Sequence, residues 1–115
     1  MARVGFKGNK FHAKKIEYDG YKFDSMKELK RYQELKMLER GKAIHHLKVH
    51  VPFELIPKNK EFRAVKYVAD FVYYENETDF VVEDVKGCKI GSAYEVFKLK
   101  KKMFYHKYGI VIKET

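Results

Sequence analysis

The sequence predicts a mixed α/β domain, on three observations. An Asp-Gly pair joins two short β-like runs near the start. One capped amphipathic stretch lies early and another late, and three strand-like stretches lie between them. Residues 1–12 precede this pattern. They hold Arg3, Lys7 and Lys10 with two glycines and no periodicity, and read as a flexible basic arm ahead of a single domain over 13–115.

The elements follow in order. Lys15-Ile16-Glu17-Tyr18 and Tyr21-Lys22-Phe23 flank Asp19-Gly20, a pair suited to the positive φ angles of a type I′ hairpin turn. Ser25-Met26-Lys27-Glu28 is a capping-box pattern, so a helix starts after Ser25, runs to about Arg40 and stops at Gly41. Between Ile44 and Ile56 the apolar residues Leu47, Val49, Val51, Phe53 and Leu55 alternate with polar ones, which predicts a half-buried strand that Pro52 places at an edge. After a turn at Pro57–Lys60, Phe62–Tyr74 is apolar on both parities and predicts a central strand covered on both faces. Phe80–Lys86 predicts another strand and 92–108 a second helix closed by Gly109. Ile110-Val111-Ile112 predicts a short last strand.

Bulk composition narrows the function. The 115 residues are 45% hydrophobic, enough for one core, and carry a net charge of +9 with nine Tyr and nine Phe. Such an excess of cations points to a polyanion, with nucleic acid the expected partner and a membrane surface a weaker match. No apolar run approaches the roughly 18 residues of a spanning helix. Cys88 is the single cysteine, so no internal disulfide forms, which fits a reducing cytoplasm.

Two carboxylates fall where stability alone would not put them. Asp70 interrupts Val68-Ala69-Asp70-Phe71-Val72, and Asp84 shares a strand face with Val82 and Lys86. Two buried acids on adjacent strands repel unless a cation intervenes, and hard divalent ions take carboxylate oxygens. On these residues alone a structural Asp70–Lys86 salt bridge and a metal site stand level. Glu83 points to the opposite face and reads as a solvated or structural carboxylate. Glu28 shares a helical face with Tyr32 and Leu35, beside Leu29, so it leans toward the core as a third acid; its other role is to close the cap with Ser25.

On the second helix Ala93, Val96, Phe97, Met103 and Phe104 form the predicted apolar stripe. Lys100 falls inside it, either snorkelling to the edge or reaching a phosphate, and Lys98, Lys101 and Lys102 fall outside, as a phosphate-tracking face or simply a solvated one. His45, His46 and His50 match no zinc spacing and read as ordinary polar residues. Gly87 to Gly91 is too sparse for a phosphate loop.

Asp70 followed fourteen residues later by Asp84-Val85-Lys86, with Glu28 on an upstream helix, resembles the D…(D/E)-x-K signature of the PD-(D/E)XK nuclease superfamily. Phe23–Glu28, Tyr67–Phe71 and Val82–Gly87 look more narrowly like a small phage- and prophage-encoded family of unassigned function. The likeness spans about Lys14 to Glu114. Ala69 stands where the superfamily's name has proline, and Asp84 stands for the commoner glutamate.

The resemblance implies a restriction-endonuclease-like α-β-β-β-α-β core behind the hairpin, and hydrolysis of DNA phosphodiester bonds. It implies Mg²⁺ or Mn²⁺ held by Asp70, Asp84, the Val85 carbonyl and Glu28, with Lys86 polarising the attacking water. Lys98, Lys100, Lys101 and Lys102 are the expected DNA contacts. The expected substrate is a DNA structure, as for a Holliday junction resolvase or a transposase-type end-cleaving subunit, and the expected setting is the cytoplasm of a bacterial host or a phage-infected cell. A homodimer, or a phage replication or packaging protein, is the expected protein partner. The competing readings are a non-catalytic DNA-binding module and a small basic adaptor.

Overall fold

A computed structural model describes residues 15–115, and the basic arm expected over 1–12 lies outside the described residues. Strands β1 (Ile16–Tyr18) and β2 (Tyr21–Phe23) form the expected hairpin, with Asp19 and Gly20 at φ 56° and 85°. Helix α1 (Met26–Arg40) begins at Ser25, whose side chain accepts the Glu28 amide at 3.1 Å, and ends at Gly41. Strands β3 (His45–Ile56), β4 (Val65–Tyr74) and β5 (Phe80–Asp84) follow, then α2 (Ser92–Tyr108) and β6 (Lys113–Glu114).

The four later strands form one sheet in the order β3-β4-β5-β6. The first two pairings are antiparallel and β5-β6 is parallel. β3 is an edge strand, as Pro52 requires, because proline has no amide to give to a second neighbour. The amide of Leu47 is satisfied from the side by Glu39 Oε2 at 2.9 Å. β4 is central and covered on both faces. Leu29, Tyr32 and Leu35 of α1 pack with Phe23, Phe71 and Tyr73, while Phe97 and Phe104 of α2 pack with Tyr67, Val72, Val82 and Ile112. The sheet thus carries one helix on each face.

Four expectations change. Phe62 is 73% exposed in the turn, so β4 starts only at Val65. The last strand is Lys113–Glu114 rather than Ile110–Ile112, because Ile112 drops into the core and ladder pairing begins after it, at Glu83 with Lys113. On α2, Ala93 and Val96 are exposed and the buried line runs through the rings of Phe97 and Phe104, with Tyr94 and Met103 packed beside them. Large rings seven residues apart bury far more area than alanine or valine, and so set the rotation of the helix.

The fourth change lies at the centre of β3. Strict alternation would place Val49 and Val51 on one face, yet Val49 packs under α1 and Val51 under α2. His50 between them sits at φ 56°, a left-handed conformation uncommon for a non-glycine residue in a strand. β4 mirrors the exchange. Ala69 packs under α2 and Phe71 under α1, with Val49 opposite Phe71 and Val51 opposite Ala69. Val68 is consequently 52% exposed and does not share a buried face with Val72 around Asp70. His50 and Asp70 occupy the point where both strands change face.

Candidate functional site

The start of α1, the middle of β4 and the end of β5 converge around this crossing. Lys27 at the helix start donates to the Lys86 carbonyl at 2.6 Å, tying α1 to the end of β5. Glu28, one residue on, is 5% exposed and its Oε1 lies 3.1 Å from His50 Nε2. Ligand atoms of Glu28, His50 and Asp70 all lie within 4.8 Å of one another. The rings of Phe23 and Tyr21 close on the His50 ring at 5.8 and 6.3 Å between centroids.

Asp70 Oδ2 accepts the Val85 amide at 2.8 Å. Burial, followed by the nearby charge of Asp84, pushes the Asp70 carboxyl up to about 7; Glu28 adds to the effect, while the Val85 amide and Lys86 offset part of it. Burial likewise raises the Glu28 carboxyl, against the opposing hydrogen bond and charge of His50.

Asp84 is 5% exposed and fully engaged. Its Oδ1 accepts the Tyr67 hydroxyl at 2.9 Å and its Oδ2 lies 2.7 Å from Lys86 Nζ. The salt bridge of Lys86 is therefore with Asp84, two residues away on its own strand side, and the cross-strand pair with Asp70 does not form. Lys86 Nζ also lies 3.6 Å above the Phe97 ring centroid, which holds the ammonium over the α2 face. Burial and the Asp84 charge raise the Tyr67 hydroxyl, so it stays a donor to that carboxylate.

Glu83 separates cleanly from the site. It is 0% exposed, takes two hydrogen bonds from Arg31 at 2.6 and 3.0 Å, one from Tyr73 at 2.7 Å and one from Thr115 at 3.0 Å. Burial alone would raise its pKa, but the bonds from Arg31 and Tyr73 outweigh it and hold the carboxyl below its ordinary value. Its role is structural, and it is not solvated.

The lysines of α2 divide. Lys101, expected outside the apolar stripe, is half-buried and paired to Glu114 at 2.6 Å. Lys98 pairs with Glu95 at 3.1 Å, Lys100 is half-buried and Lys102 is exposed.

The structure brings Glu28, Asp70, Asp84 and Lys86 to one place, with Val85 contributing its amide to Asp70. Two members escaped the sequence reading. His50 looked like one more polar residue of an alternating edge strand, and nothing in that pattern signals its left-handed backbone. Tyr67 looked like core; the available signal was a tyrosine hydroxyl in a buried central strand, which needs an acceptor.

Glu28, His50 and Asp70, with Asp84 and Lys86 nearby, could hold a hard or borderline divalent cation next to a cationic side chain. No helix among the described residues is long and apolar enough to cross a membrane. No curated protein and no solved structure matches the chain. The family DUF1064, whose description is "Protein of unknown function", matches residues 8–114, and the chain belongs to that family.

Proposed function

We propose that this protein is a metal-dependent DNA endonuclease with a PD-(D/E)XK-type core. The single observation that carries the reading is Asp70. It is a half-buried carboxylate near Asp84 and Glu28, raised to about 7, an arrangement that a divalent cation would relieve. The element order supports it: helix, three antiparallel strands, helix, then a strand parallel to its neighbour. The net charge of +9 supports a polyanionic substrate.

The residues fit an ion at Glu28 and Asp70, with Asp84 adjacent. When bound, Mg²⁺ or Mn²⁺ would supply Lewis-acid activation of the phosphodiester and acidify a water. The protein's own groups do the rest. Asp70 is fixed by the Val85 amide, so its second oxygen has a defined direction. Lys86, held between Asp84 and Phe97, places a positive charge where a phosphate entering the site would develop negative charge. Tyr67 and Lys86 together fix the orientation of Asp84. On this reading the shape of the DNA or a partner protein supplies specificity.

The test is cleavage of linear duplex, single strand, flap and four-way junction with Mg²⁺ or Mn²⁺, beside Asp84→Ala. Cutting by the wild type alone supports the reading, and the preferred substrate names the structure recognised. Absence of both cutting and metal affinity would replace it with a binding module or adaptor.

Lys86→Ala is expected to bind DNA within about threefold of wild type yet lose at least about 100-fold in cleavage rate, the scale of one removed electrostatic stabiliser. Filter binding and single-turnover cleavage read the two effects separately. Unchanged cleavage removes Lys86 from the chemistry.

For the α2 surface, DNA affinity is expected to fall steeply with salt. Lys98→Gln with Lys102→Gln should reduce the log–log slope by about 2, roughly one for each phosphate that is no longer neutralised. Lys101 is left out of that pair because it is half-buried in a short pair with Glu114, whereas the Lys98–Glu95 pair is exposed. A salt-insensitive complex would exclude a phosphate-tracking surface.

A further inference from the structure

We infer that His50 is a direct ligand of the same ion as Asp70 and Glu28, and that its nitrogen biases the site toward a first-row transition ion of the Mn²⁺ class over Mg²⁺. The inference rests on the metal site proposed above and extends it, because the resemblance implied an all-oxygen set of Asp70, Asp84, Glu28 and the Val85 carbonyl.

Four observations carry it. The left-handed backbone of His50, at φ 56°, and Asp70 are the residues left between the ladder pairs Val49–Phe71 and Val51–Ala69. The imidazole is packed against Phe23 and Tyr21, and Nε2 points at Glu28 Oε1, 3.1 Å away. The three ligand atoms lie within 4.8 Å of one another. Ligands about 2.1 Å from one ion are about 3 Å apart when adjacent and about 4.2 Å when opposite, so small side-chain rotations close the set. Finally, Asp84 already engages both oxygens with Tyr67 and Lys86, which leaves the imidazole as the third donor near Asp70.

Donor chemistry then decides the preference. Mg²⁺ favours oxygen and sheds water reluctantly, whereas imidazole nitrogen suits first-row transition ions, with affinity rising from Mn²⁺ towards Cu²⁺. In the competing structural role, His50 is only the partner of the buried Glu28 carboxylate, and metal affinity would not depend on its nitrogen.

The test uses the full chain with Mn²⁺ as the spin probe. Pulsed electron paramagnetic resonance should show nitrogen coupling to bound Mn²⁺, altered by ¹⁵N-histidine labelling of the wild type and absent in His50→Gln. Calorimetric titration should give Mn²⁺ binding at least about tenfold tighter than Mg²⁺, with His50→Gln or His50→Asp erasing most of that ratio. The labelled wild type needs no variant to fold. Mn²⁺ bound with dependence on Asp70 but without nitrogen coupling overturns the inference and leaves the nuclease reading standing. Nitrogen coupling lost in His50→Gln, with no DNA cut, upholds the inference and sinks the nuclease reading. No Mn²⁺ binding at all overturns both.

Discussion

Arg31→Ala is expected to cost about 3–5 kcal/mol of folding stability, the range for stranding one partner of a buried ion pair. Glu83 is 0% exposed and Arg31 provides two of its hydrogen bonds, at 2.6 and 3.0 Å. Removing the guanidinium leaves an ionised carboxylate in the core with only the hydroxyls of Tyr73 and Thr115. A domain of this size holds roughly 5–15 kcal/mol in total, so the variant stands near the edge of folding. The pair Arg31→Met with Glu83→Met should recover most of the loss, because an apolar pair of similar volume has no charge to desolvate.

The pH dependence follows from the direction of the Glu83 shift. Its folded pKa lies below the unfolded value, so the stability it contributes is present above the unfolded pKa and is lost as pH falls through the folded one. In Arg31→Ala that loss should begin at higher pH. Urea unfolding of the three proteins at pH 7 and pH 4 measures all of this. A single-variant loss under about 1 kcal/mol would mean that Glu83 finds another partner.

The second large effect concerns Asp70 without metal. Its folded pKa of about 7 lies above the ordinary 3.8, so the native state keeps a proton that the unfolded chain gives up. Stability therefore declines as pH rises from about 4 to about 7 and levels off above that. The difference between 3.8 and about 7 corresponds to at most about 4 kcal/mol. Asp70→Asn keeps an acceptor for the Val85 amide without the charge. In chelator it should be more stable than wild type by a few kcal/mol at pH 8 and close to it at pH 4, while cleavage is lost. Thermal unfolding in chelator at both pH values checks the expectation. A wild type no less stable than Asp70→Asn at pH 8 would show that Asp70 carries its charge there without penalty, and would remove the main support for a cation.

Much of this architecture is local physics, and therefore legible in the sequence. The Asp19-Gly20 turn needs two positive φ angles, and only a few residue types supply them. Ser25 and Gly41 bound α1 by hydrogen-bonding rules that act within four residues. The nearness of Asp70 to Asp84 on neighbouring strands was readable because acids are costly and conspicuous in an apolar run. Glu28 was readable because a helix of period 3.6 places it beside Tyr32 and Leu35.

Other features come from groups far apart in the chain, and only the tertiary structure decided them. Arg31 and Glu83 are 52 residues apart, and no periodicity links them. Lys86 lies close to both acids in sequence-derived register, but the Phe97 ring from α2 and the position of Asp84 chose its partner. The rotation of α2 was set by which rings the sheet could accept, which carried Lys101 inward to Glu114 and left Val96 in solvent. His50 is the sharpest case. Alternation assumes an extended backbone at every residue, and one left-handed residue exchanges the faces of everything beyond it. That exchange brings an imidazole of the edge strand to Asp70 and Glu28, where the pattern of side chains along β3 gave no sign of it.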